Sequence, residues 1–113
     1  MTLIGSEAGT TINSNNANGT VAVGYQSLGD LTSGATNTAL GSKSGDAATT
    51  SSGSVFLGFD AGGTVTTGNQ NIAIGLDSMN GGATTGDNNI AIGASAGDAL
   101  TSGYSNTFLG NDS

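Results

Sequence analysis

The chain has no cysteine, proline, tryptophan or histidine, and Lys43 is its single base against eight acids. Without cysteine there is no disulfide framework and no thiolate metal site, and the redox compartment goes unread. Twenty-one glycines without one proline exclude a collagen-like triple helix, which needs both. A net charge of −7 offers no basic patch, so neither a nucleic acid nor an anionic membrane surface is an expected partner. No apolar run approaches the ~20 residues of a membrane-spanning helix. Aromatic residues make up 4% and all hydrophobic residues 35%, too few to fill a wide globular interior. Disordered chains are usually rich in charge and proline; here charged residues are only 8% and the apolar ones recur at fixed places. Met1 is followed at once by patterned sequence, with no apolar leader. The expectation is a chain exported by another route, or a segment of a longer one.

What the chain does have is a phrase. Asn71-Ile72-Ala73-Ile74-Gly75 returns as Asn89-Ile90-Ala91-Ile92-Gly93, and looser copies end on the other glycines of a series at 5, 24, 41, 58, 75, 93 and 110. Successive gaps are 19, 17, 17, 17, 18 and 17, a beat that marks a repeat protein. Residues 1–113 therefore read as one repeat domain of about six rungs with partial copies at its ends.

Aligned on the closing glycine, the columns carry the structure. A large aliphatic always precedes the glycine, and three before it stands Thr, Val or Ile, so strong β-formers two apart share a strand face. Gly24, Gly41, Gly58, Gly75, Gly93 and Gly110 read as corners. Three after each corner stands only Ala or Ser, a tight spot, and a second apolar point follows at Ile12, Leu31, Ala48, Val65 and Leu100. Thr, Ser, Gly and Asn fill the rest, the chemistry of turns. No window sustains a 3.6-residue period, so helix is not expected. A unit this short cannot bury its own apolar face, whereas stacking in register can. The pattern predicts an all-β parallel β-solenoid or β-roll of 17–18-residue rungs, with the Asn residues 37, 71, 89 and 106 in a ladder. The longer gaps are expected to fall in the polar turns at Asn15–Gly19 and Gly81-Gly82.

Two before the glycine stand Ala22, Ala39, Phe56, Ala73, Ala91 and Phe108, opposite their aliphatic neighbours. Both strand faces are apolar, as in strands covered on two sides. The aliphatic face is expected to fill the coil, and the Ala/Phe face to meet a partner chain. A wide coil folded back on itself is the alternative that the short repeat disfavours.

Catalysis has little to work with. The usual bases, thiol nucleophiles and guanidinium clamps are absent, and a solvated rod face supplies none of the burial that retunes paired acids. Gly41-Ser42-Lys43-Ser44-Gly45 has the wrong order and spacing for a phosphate loop. Two after the glycine, Asp60 and Asp77 stack one rung apart and are weak candidates for calcium, with solvated carboxylates the plainer expectation; no other cofactor is expected. Tyr25 and Phe59, one past their corners, are candidate glycan contacts, although a groove between chains accounts for them better.

The phrase N-[TI]-[AF]-[LI]-G-x-x-[AS]-G, carried by Asn89–Gly97 and in part by Gly58–Gly62, resembles the repeats of bacteriophage tail-fibre proteins. It is also similar to the head repeats of trimeric autotransporter adhesins, which use a shorter repeat. The resemblance covers nearly the whole chain, with residues 1–18 fitting it poorly. It implies a homotrimer, intertwined or side by side, extracellular on a virion or cell surface. It further implies a shaft that supports host attachment. An adhesin head binding glycan or matrix, and a subunit of an end-to-end filament, are the competing readings.

Overall fold

The computed structural model describes residues 1–13 and 16–113. Seven three-residue strands lie in one sheet in chain order: β1 (Thr2–Ile4), β2 (Val21–Val23), β3 (Thr38–Leu40), β4 (Val55–Leu57), β5 (Ile72–Ile74), β6 (Ile90–Ile92) and β7 (Thr107–Leu109). Every neighbouring pair is parallel, and each strand meets the same columns of the next: Val21 opposes Thr38, Ala22 opposes Ala39 and Val23 opposes Leu40. The chain is a β-solenoid of about six turns, 35 Å along its longest axis and 22 by 18 Å across. Strands spaced ~4.8 Å apart give a stack of about that length.

Strands this short have no stability alone; the stack supplies it. Backbone bonds stitch each rung to the next well beyond the strands, as Val21 N–H donates to Asn37 C=O (2.8 Å) and Lys43 N–H to Tyr25 C=O (2.8 Å). The chain bends at Gly5, Gly24, Gly41, Gly58, Gly75, Gly93 and Gly110, where φ lies between 122° and 139°. At Gly75 a Cβ would stand 2.6 Å from the Gly93 carbonyl oxygen of the next rung, so the corner excludes a side chain by contact as well as by conformation.

The asparagine ladder is buried and runs up the coil. Asn89 and Asn106 each give a backbone N–H and a side-chain N–H to the Oδ1 of the asparagine one rung before, Asn71 and Asn89 respectively, at 2.9 to 3.1 Å. Asn71 Nδ2 and Asn89 Nδ2 also reach the carbonyls of Gly86 and Gly103 at 2.8 Å. Ser54 replaces asparagine in one rung and keeps the chain of bonds intact, taking Asn71 N–H on its hydroxyl and giving its own N–H to Asn37 Oδ1. Among the described residues no buried side-chain nitrogen or oxygen lacks a partner, which removes the main penalty for polar atoms in so thin a core.

The extra residue of the fifth rung lies between Ser78 and Thr84. Gly62 N–H meets Ser78 C=O sixteen residues on, just as Gly45 N–H meets Ala61 C=O, but Thr66 N–H meets Thr84 C=O eighteen on where Thr49 N–H meets Thr66 C=O seventeen on. The slip at Gly81-Gly82 is thus where the turn chemistry puts it. In the first rung, Asn13 N–H still meets Thr32 C=O nineteen on, so the slip follows Asn13; Asn15 of the expected segment lies outside the described residues.

Candidate functional site: two faces of one sheet

The coil's core consists of the column expected to meet a partner. Ala22, Ala39, Phe56, Ala73 and Ala91 are fully buried within their own chain, and Phe108 packs partly buried against the same cluster. They are therefore not free to line an interface, and the expected assignment of the two faces is reversed. The reason is volume. Four residues past each corner, a second side chain points into the same space, and the two columns trade size. Ala22 shares its rung with buried Leu28, and Ala73 with buried Met79. Phe56 shares its rung with Gly62, where a Cβ would overlap the ring. The rung of Ala39 and Gly45 carries two small residues, and its space is taken from both sides. A Cβ on Gly45 would meet Phe56 Cδ2 at 2.5 Å and Leu28 Cδ2 at 2.9 Å. One ring thus fills two rungs, and a coil this narrow has no room for an aliphatic ladder as well.

The aliphatics point outward instead. Leu40 and Leu57 are 37% and 42% exposed, and Ile92 is 36% exposed. Val23 and Ile74 are half-buried, as are Val21, Val55, Ile72 and Ile90 three before their corners. Tyr25, Phe59 and Leu76, one past their corners, are about half exposed. These three columns contain no charged residue in any rung. The result is an uncharged strip along the whole coil, roughly 29 Å long from strand spacing, whose middle column is aliphatic in every rung. Chains this small do not ordinarily expose an unbroken aliphatic column without using it.

The acids sit elsewhere, and four of the eight, Glu7, Asp60, Asp77 and Asp112, stand two past a corner where the backbone is left-handed. All seven residues two past the corners, Asp60 and Asp77 among them, have φ between 52° and 59°. Asp is among the side chains that best tolerate that left-handed region, so their recurrence there follows without a ligand. Asp77 accepts from Asn80 Nδ2 at 3.3 Å. Among the described residues no three His, Cys, Asp or Glu side chains gather as metal ligands. An open groove near the N-terminal end is lined by Glu7, Gln26, Asp30 and Asp46, with Gln26 Nε2 donating to Glu7 at 2.7 Å. There burial raises the Asp46 carboxyl above the usual carboxylate range, and the charges of Asp60 and Asp30 add to it against the Ala47 amide and Lys43.

The signal that could have found the outward face lies in the sequence: large residues at 28 and 79 occur only where the strand centre is alanine, and Phe56 only beside glycines. The chain matches no protein-family model, and no curated protein or solved structure matches it.

Proposed function

We propose that this chain is a shaft module of an extracellular homotrimeric fibre, a stiff spacer of the kind found in phage tail fibres, and not an enzyme or a receptor-binding tip. One observation carries the reading. Among the described residues the coil has its own buried core and no buried side-chain nitrogen or oxygen lacks a partner, yet a full-length aliphatic column remains on its outside. Copies of the same chain are the economical cover, because the column before the corner is aliphatic in every rung. Three copies is the number that the resemblance to trimeric fibre repeats implies. The chains pack side by side rather than intertwined, since each core closes on itself. No rung gathers a cluster of aromatic and polar anchors, where recognition normally concentrates.

The test has two parts. Multi-angle light scattering is expected to give three times the 10.7 kDa chain mass. The purified trimer is expected to show no saturable binding on a glycan array or to host cells. Saturable binding that disappears on replacing Tyr25 and Phe59 with Ser overturns the spacer reading and makes the rod flank an adhesive surface.

A further inference from the structure

We infer that the outward strip is a rung-matched seam, on which the column three before the corner in one copy packs against the column one past the corner in the next. The inference rests on the side-by-side reading above. Its evidence is a correspondence between two columns that stand four residues apart, on opposite sides of the corner glycine. Val21 goes with Tyr25, Val55 with Phe59, and Ile72 with Leu76. Ile90 goes with Ala94. In the three rungs where the first column is threonine, at 2, 38 and 107, the second is polar: Ser6, Ser42 and Asn111. All seven rungs agree, apolar with apolar and polar with polar.

Nothing inside a single coil requires this agreement. A rotation axis parallel to the rod does. It sets the end of each strand in one copy beside the start of the same-numbered strand in its neighbour, a head-to-tail contact that closes into a ring. Copies in axial register then bring Tyr25 against Val21, Phe59 against Val55 and Ser42 against Thr38. Running the rods antiparallel sets the third rung against the fifth and strand start against strand start, and Thr38 then faces Ile72. A slip by one rung sets Phe59 against Thr38. Either arrangement puts an apolar side chain on a hydroxyl. The net charge of −7 repels copies everywhere except across this uncharged strip.

The absence of cysteine makes the seam directly testable. Val55→Cys with Phe59→Cys in one chain places two thiols too far apart to join within it, but within disulfide reach across a matched seam. Val55→Cys with Ala94→Cys, two rungs out of step, is the control, and circular dichroism checks that both fold. Under mild oxidation the first pair is expected to give at least tenfold more covalently linked chains on a non-reducing gel than the second. Equal linking in both, or an unlinked first pair in a protein that still has oligomeric mass, overturns the seam and leaves the shaft reading standing. A single-chain mass overturns both.

Discussion

Exchanging one charge between adjacent residues of β5 separates the two faces of the sheet. Ala73 is fully buried, and its neighbour Ile74 is turned outward. An aspartate at 73 cannot stay ionised in that core, so at pH 7 it folds protonated. Raising its pKa from about 3.9 to beyond 7 costs about 1.4 kcal/mol for each of roughly three units, some 4 kcal/mol in all. The added volume beside Met79 costs a further ~1–3 kcal/mol. Their sum rivals the ~5–15 kcal/mol that holds an ordinary domain together. The sign of the pH dependence follows. A carboxyl with a raised folded-state pKa destabilises above its unfolded value and ceases to do so below it. Urea titration of Ala73→Asp is therefore expected to recover most of the loss between pH 7 and pH 4. Ile74→Asp keeps its charge in water and is expected to leave each coil folded, while in the proposed trimer the like charges set around its axis are expected to drive the chains apart. Circular dichroism and light scattering on both variants read the two outcomes. Loss of the fold in Ile74→Asp with Ala73→Asp intact, or an Ala73→Asp penalty equal at both pH values, would refute the assignment of the faces.

Gly75→Val is expected to cost at least about 3 kcal/mol, well beyond the β-propensity of valine, since φ at 125° strains a branched residue and the Gly93 carbonyl occupies the site of its Cβ; thermal denaturation measures it. For Asp46, burial and the acids Asp60 and Asp30 raise the folded-state pKa, so its charge opposes folding at neutral pH and the opposition fades as pH falls to the unfolded value. Asp46→Asn, which can keep the acceptor for the Ala47 amide, is expected to raise the melting temperature at pH 7 by a few degrees and to match the parent near pH 3; no gain at pH 7 counts against that burial.

The periodic part of the fold was open to reading because stacking makes each rung repeat the last. The 17-residue beat, the strands before each glycine and the asparagine ladder all follow from one constraint, that like must lie on like for every backbone group to find a partner. The insertion at Gly81-Gly82 was legible for the converse reason: only a polar turn takes an extra residue without moving the core. The acids two past the corners were weak ligand candidates in the sequence, and their φ supplies a second reason for them to stand there. A left-handed backbone selects Asp at 60 and 77 whether or not anything binds there.

Which face was inside could not be decided from hydrophobicity, because both faces are hydrophobic. The usual inference sends the larger side chains inward, and in a wide core it holds. In a coil closed by one short rung, the interior is set by the backbone's own approach, and the strand shares that space with the segment beyond the corner. Ala73 with Met79 and Phe56 with Gly62 are two solutions of one volume equation, and Ile72 and Ile74 have no place in it. The same condition that keeps small residues inside leaves the aliphatic ones outside in every rung. The narrower the coil, the more of its apolar surface lies outside it, and burying that surface is what the proposed assembly would supply.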